Sequence, residues 1–186
     1  MKYFSFLFLL FIMACSGENS SEINEKQYVK FPKHNGGEIY TIPFTQDRLN
    51  HVKDKNPIVV IKNNGSFVCS ADGNSGMMCN QKEVGIFELF ELDPQEGGII
   101  TLLGSNLKYV SSNNGKSPMR CDRSAAKEWE RFKFIHKSEN IYVLQANNGK
   151  YVSSENGLAP MSCNRLEPKE WESFEIYEIV PHEVDD

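Results

Sequence analysis

The sequence is short of positive charge, of histidine and of long apolar runs, and each shortage removes a class of function. Twenty Lys and Arg stand against 25 Asp and Glu, for a formal charge of −5 over 186 residues. A nucleic-acid partner needs Lys and Arg clustered on one face. The chain has no basic stripe and no RNA-binding signature, so nucleic acid is not expected as a partner. The four histidines, His34, His51, His136 and His182, lie apart from any candidate nucleophile and from metal-ligand spacing. Carboxylates are plentiful, but a glycosidase must hold two of them across a cleft. The expectation is a protein that is not an enzyme, with no cofactor and no bound metal. The longest apolar run, Phe4 to Met13, is about half the roughly 20 residues a membrane-spanning helix needs.

That run has another use. Lys2, the apolar stretch and Ile12-Met13-Ala14-Cys15 resemble a bacterial lipoprotein signal, cleaved before a cysteine that is then acylated. Residues 1–14 are expected to be the signal peptide and Cys15 the lipidation site. Residues 15–27, rich in Ser, Asn and Glu, are expected to be a tether with little to bury. Several acyl chains on one cysteine anchor a protein stably to a membrane, whereas one does not. Ser16 rather than Asp follows the cysteine, which favours the outer membrane and leaves open whether the periplasmic or the surface face is meant.

The rest of the chain is organised by repetition. Phe87-Glu88-Leu89-Phe90, Trp129-Glu130-Arg131-Phe132 and Trp171-Glu172-Ser173-Phe174 recur at a step of 42 residues. Cys79, Cys121 and Cys163 keep that step, as do Phe67-Val68, Tyr109-Val110 and Tyr151-Val152. A period near 40 written three times sets the architecture before any single residue is interpreted. Each copy has four strand-like runs; in the third they are Tyr142 to Gln145, Tyr151 to Ser153, Met161 to Asn164 and Trp171 to Ile176. Asn147-Asn148-Gly149 and Asn63-Asn64-Gly65 mark the first hairpin turn, because Asn and Gly tolerate positive φ. Phe132 and Phe134 alternate with Arg131 and Lys133, the pattern of a half-buried strand. Twelve short strands in three equivalent groups predict an all-β chain folded as a β-trefoil, a six-stranded barrel capped by three hairpins. The expected repeats are 56–94, 95–138 and 139–180, with a tail at 181–186. Residues 28–55 form an N-terminal extension whose Tyr28 to Phe31 and Glu38 to Phe44 have strand character and whose role is open: packing on the barrel or closing its bottom.

Four cysteines remain once Cys15 is set aside. In an exported protein they suggest disulfides, and Cys69 and Cys79 are close enough in sequence to bridge a hairpin. Cys79, Cys121 and Cys163 lie instead at the corners of a triangle, where three thiols cannot all pair. They suit small buried positions better than a trigonal metal site, which would be expected to recruit histidine.

At Asn148-Gly149-Lys150-Tyr151-Val152-Ser153, then Asn164-Arg165 and Trp171-Glu172-x-Phe174, the chain resembles the fascin-like β-trefoils. Copy two matches nearly as well through Leu107-Lys108-Tyr109-Val110-Ser111, Asp122-Arg123 and Trp129-Glu130-x-Phe132. Copy one departs, with Phe87 for the tryptophan and Asn80-Gln81 for Asn-Arg. The resemblance implies either actin bundling, as in eukaryotic fascins, or carbohydrate binding, as in bacterial modules that accompany β-glucan-degrading enzymes. An exported lipoprotein fits the second. The ricin-B type of trefoil lectin carries Gln-x-Trp in each repeat, and this chain has none.

A sugar site sets an aromatic face against a pyranose and polar groups against its hydroxyls. Trp129 with Glu130 and Trp171 with Glu172 supply that pair, Phe87 with Glu88 a weaker version, and Arg123, Arg165, Asp122 and Asn164 lie just upstream. A second role is open for the same residues. Glu130 shares strand parity with Phe132 and Phe134, so it can point inward, accept backbone N–H groups and serve as a brace. The expected function is non-catalytic binding of a polysaccharide or oligosaccharide by a monomer, with β-glucan as one class and the membrane reached through the lipid. The alternative is a protein-binding trefoil: an adhesin, a peptidase inhibitor or an actin-bundling-like scaffold.

Overall fold

The computed structural model describes residues 28–52 and 56–181. The expected signal peptide, Cys15 and the tether fall outside the described residues, as does nearly all of the C-terminal tail.

Two strands, β1 (Val29–Pro32) and β2 (Glu38–Pro43), and a one-turn helix, α1 (Gln46–Asn50), precede the repeats. Repeat one contains β3 (Ile58–Asn63), β4 (Ser66–Cys69), β5 (Met78–Gln81) and β6 (Phe90–Gln95). Repeat two contains β7 (Ile99–Gly104), β8 (Tyr109–Ser111), β9 (Arg120–Arg123) and β10 (Phe132–Ser138). Repeat three contains β11 (Ile141–Ala146), β12 (Tyr151–Ser153), β13 (Ser162–Arg165) and β14 (Phe174–Ile179).

In each repeat the first strand pairs with the fourth, and the fourth pairs with the first strand of the next repeat; β14 pairs with β3 and closes the barrel. The second and third strands form the three capping hairpins, in register through Val68–Cys79, Val110–Cys121 and Val152–Cys163. The chain is a β-trefoil. Closure leaves no free edge within the barrel, which is how a short-stranded sheet avoids exposing unpaired backbone.

The core follows the repeat. Phe90, Phe132 and Phe174 are fully or almost fully buried, as are Cys79, Cys121 and Cys163. Met77, Met119 and Met161 close a ring on the pseudo-threefold axis: each main-chain N–H donates to the carbonyl of the next, at 2.9, 2.9 and 2.8 Å. The same 42-residue step holds for these methionines in the sequence, a regularity the strand pattern alone did not single out. The repeats also interlock around the ring. Gly73, Gly115 and Gly157 all have positive φ, and a Cβ on them would meet the carbonyl oxygens of Cys121, Cys163 and Cys79 at 2.5, 2.3 and 2.5 Å. Each turn therefore rests on the following repeat at a distance only glycine allows.

The 42-residue step fails in one place. Lys62 pairs with Phe67, five residues on, whereas Leu103 pairs with Tyr109 and Gln145 with Tyr151, six on. The first turn of repeat one is thus one residue shorter, and β3 is shifted by one. Val59 and Ile61 face the barrel core, while Val60 faces outward.

That outward face is covered by the extension. β2 pairs with β14, β1 pairs with β2, and Phe31 packs edge-on against Phe67 (5.0 Å between centroids) and Tyr177 (4.9 Å). Phe44, wholly buried, joins the barrel core beside Tyr142, two residues along β11 from the Leu144 that lines the methionine end. Leu49 and Val52 pack behind it. Arg48 clamps α1 to the last strand, with Nε 2.6 Å and Nη2 2.7 Å from the two oxygens of the buried Glu178 carboxylate. The extension therefore both lines the side of repeat one and closes the barrel end away from the methionines.

No disulfide joins Cys69 to Cys79. Val68, the neighbour of Cys69, is the residue that lies opposite Cys79, and successive residues point to opposite faces of a hairpin.

Candidate functional site

The two tryptophans do not open the fourth strand, as the expected run Trp171 to Ile176 had it. They sit three residues before it, in single 3-10 turns at Glu128–Glu130 and Glu170–Glu172, with the strands starting at Phe132 and Phe174. Each turn keeps the glutamate half of a capping box, in which the third residue reaches back to the backbone N–H of the residue before the turn; Gly85, Lys127 and Lys169 offer no side-chain acceptor for the other half. Glu130 Oε2 accepts the Lys127 N–H at 2.9 Å, Glu172 Oε2 accepts the Lys169 N–H at 2.9 Å, and Glu88 Oε2 accepts the Gly85 N–H at 2.7 Å. The carboxylates are 3, 3 and 5 % exposed. This corrects the expectation that Glu88, Glu130 and Glu172 meet sugar hydroxyls: they point inward and brace the turn, because a carboxylate is the group that can satisfy an otherwise orphaned N–H there.

The main chain of the aromatic residue is pinned from a neighbouring hairpin. Ser70, Ser112 and Ser154 donate their N–H to the carbonyls of Phe87, Trp129 and Trp171, each at 2.8 Å. The rings are left outside, 37, 38 and 41 % exposed. Backbone pinned and ring free is the geometry a stacking platform requires.

The arginines complete the setting in repeats two and three. Arg123 and Arg165 lie opposite Tyr109 and Tyr151 at equivalent register shifts in the hairpins. Arg123 donates to Asn113 Oδ1 at 2.7 Å and lies 3.8 Å from Glu130 Oε1. Arg165 donates to Glu155 Oε2 at 2.5 Å and lies 3.6 Å from Glu172 Oε1. Each guanidinium thus spans from the buried brace to the surface. Asp122 and Asn164, expected in the same site, line neither groove: Asp122 pairs with Arg123 at 3.4 Å, and Asn164 accepts from Ser162 Oγ at 3.1 Å.

Two open grooves result. The one beside Trp171 holds about 1280 Å³, and the one beside Trp129 about 760 Å³. The larger crosses a repeat boundary and includes Asn63 and Asn64 of repeat one. Asn63, buried, donates from Nδ2 to the carbonyls of Glu170 and Ser173, both at 2.7 Å, and accepts from Ser154 Oγ at 2.6 Å. It thereby fastens the Trp171 turn. The register-matched positions on β7 and β11 are Gly104 and Ala146, which have no amide to offer. The expectation for Asn63 is a turn residue matching Asn147; instead it ends β3 and its side chain points into the Trp171 turn, because β3 is shifted by one residue against the 42-residue step.

Repeat one is different. Gln81 and Ala71 stand where the others have Arg and its acid or amide partner. The loop before Phe87 is held by the extension: the N–H of Val84 donates to the Pro32 carbonyl at 2.8 Å, and that of His34 to the Val84 carbonyl at 2.9 Å. Val84 is buried, while the matching Ala126 and Pro168 remain half-exposed.

Among the described residues the four cysteines are buried thiols. Burial pushes the thiols of Cys69, Cys79, Cys121 and Cys163 up to about 11. The three equivalent ones lie within donating distance of the carbonyls of Ser66 (3.4 Å), Lys108 (3.1 Å) and Lys150 (3.5 Å). They tie the hairpins together.

No known family profile and no curated protein matches this chain. Solved structures do match. A designed threefold-symmetric protein, ThreeFoil, aligns with 64 % of this chain and 96 % of its own at a TM-score of 0.58 and 11 % identity. SeviL bound to the asialo-GM1 saccharide aligns with 66 % of this chain and 97 % of its own at 0.55 and 13 % identity. The Polyporus squamosus lectin bound to a human-type influenza-binding epitope aligns with 67 % of this chain and 49 % of its own at 0.56 and 10 % identity. At such identities the likeness is one of fold.

Proposed function

We propose that the protein is a non-catalytic carbohydrate-binding β-trefoil of the fascin-like kind, held at the bacterial outer membrane by acylated Cys15 and taking polysaccharide or oligosaccharide, with β-glucans the first class to try. The observation that carries this reading is the pair of half-exposed tryptophan rings at equivalent positions, each pinned by its backbone and each in an open groove beside an anchored arginine. Stacking is supplied by Trp129 and Trp171. Hydroxyl contacts fall to Arg123 and Arg165 and to the exposed Lys127 and Lys169 at the groove edges, since the glutamates are occupied as braces. That some trefoil neighbours are saccharide complexes supports the class of ligand. Two weak sites on one small body suit a polymer, where the second contact is intramolecular and raises overall avidity.

The test is a titration of residues 16–186 with a panel of glucans and other glycans, followed by tryptophan fluorescence in the parent and in Trp129→Ala and Trp171→Ala. Binding that weakens in each folded variant supports the reading. Silence towards every glycan defeats it and brings a protein partner forward.

A further inference from the structure

The two tryptophan grooves share a frame but not a charge. Beside Trp129 the walls carry Arg123, Lys127 and Arg131 against Glu128 and the buried Glu130. Beside Trp171 they carry Arg165 and Lys169 against Glu167, Glu170, Glu175 and the buried Glu172. The reversal comes from a few substitutions at equivalent positions. Arg131 stands where repeat three has Ser173, and Ala125 where it has Glu167. Arg131, Lys127 and Glu167 are exposed, and among the described residues none of these side chains has an ion-pair partner. The apolar lining differs as well: Leu166, 78 % exposed, and Pro168 face the Trp171 groove where Ser124 and Ala126 face the other.

Resting on the carbohydrate reading above, we propose that the grooves are specialised by ligand charge: the Trp129 groove takes acidic saccharides, bearing uronate carboxylates or sulfate, and the Trp171 groove takes neutral ones. A carboxylate on a sugar stacked on Trp129 lies within reach of two cations with no competing partner. On Trp171 the same carboxylate faces the exposed Glu167 and Glu170, while Glu175 is already paired with Lys62 at 3.9 Å. In water-like surroundings a unit charge about 6 Å away changes affinity by about threefold. Two free cations on one side and the excess of carboxylates on the other therefore separate the two preferences by roughly tenfold or more. The grooves are open, so the effect fades as the screening length falls below the groove width, about 3 Å at 1 M salt. On a mixed polymer the two sites would read alternating acidic and neutral stretches.

The experiment uses the chain without its signal peptide and a panel in which every neutral oligosaccharide has a uronic-acid counterpart of the same length and linkage. Trp171→Ala leaves the Trp129 groove alone and is expected to bind the acidic members about tenfold better than their neutral counterparts, with the preference lost at 1 M salt. Trp129→Ala is expected to show the opposite order. Because ring removal can disturb a turn, the surface exchanges Arg131→Ser and Ala125→Glu are made in the Trp171→Ala background, each lowering acidic binding by about threefold. If both tryptophan variants bind glycans with the same charge order, or the surface exchanges change nothing, the specialisation is wrong while the carbohydrate reading stands. If no member of the panel binds any variant or the parent, both fall together.

Discussion

Repeat one and its two sisters begin from nearly the same instructions and end with different surfaces. All three bury the same phenylalanine and cysteine and brace the same turn with an inward glutamate. In repeats two and three the loop before the tryptophan is free and an arginine stands beside the ring. In repeat one the arginine is replaced by Gln81, and the loop before Phe87 is bonded to β1 and buries Val84 against Phe31, although the Phe87 ring itself stays as exposed as the tryptophans. The inner half of the motif serves folding and is kept in all copies. The outer half is free to serve binding only where no other segment needs it. A repeated sequence therefore does not guarantee repeated sites, because a neighbour can claim one copy.

The sharpest way to break this comparison is to remove the neighbour. Phe44→Ala empties a fully buried site in the barrel end and is expected to cost about 3–5 kcal/mol; Phe31→Ala, nearer the surface, costs less and uncovers Phe67 and Val84. Urea unfolding measures both, and an unchanged midpoint for Phe31→Ala would mean the extension is not part of repeat one's packing.

The braces come next. Glu130→Ala and Glu172→Ala leave the capped N–H unpaired and take one of two partners from an arginine, and are expected to cost about 1–3 kcal/mol. Glu88→Ala, with no arginine beside it, should cost less than either. Equal losses for all three would show that the arginines add nothing to the turn.

The thiols should treat all repeats alike. Their folded pKa values are raised from 9.0 to about 11, so the unfolded chain loses these protons first. Stability from each is fully present below pH 9 and is lost as pH rises towards 11, by at most about 1.4 kcal/mol per pH unit per thiol. Native protein at pH 8 should resist a thiol reagent at all four positions and react fully in denaturant. Rapid labelling of one cysteine would mark its repeat as loosely packed.

The smallest effects fall at the surface. Trp129→Ala and Trp171→Ala should shift unfolding by about 1 kcal/mol or less, since half of each ring is already in water, while weakening glycan binding about tenfold. Installing the missing chemistry in repeat one, by Phe87→Trp with Gln81→Arg, is expected to add no site and no affinity. A gain there would show that a loop bonded to the extension can still form a groove.

The 42-residue step made the barrel, the hairpins and the buried triads legible, because a side chain that recurs three times must answer three equivalent environments. The inward glutamates were legible as an alternative through strand parity. What escaped lacked a period of its own. The 3-10 turns that carry the tryptophans are three residues long, α1 is five, and neither length displays a repeat of pattern. The use of the extension depended on which strand it would join, and pairing with β14 is not written in Glu38 to Pro43 alone. Asn63 was hidden by a one-residue deletion that only the register exposes.

The ring of Met77, Met119 and Met161 has a consequence for how such a molecule fails. A linear array of repeats has two ends, and its terminal units fray or need caps. Here every repeat is both donor and acceptor to its neighbours, and every turn glycine rests on the repeat that follows it. There is no outermost unit to melt first, so a lesion such as Gly115→Ala strains its own turn and is felt at once in the next repeat, at Cys163. The molecule is expected to come apart in one cooperative step. For the same reason the chain could begin in any exposed loop between repeats and still close the same circle.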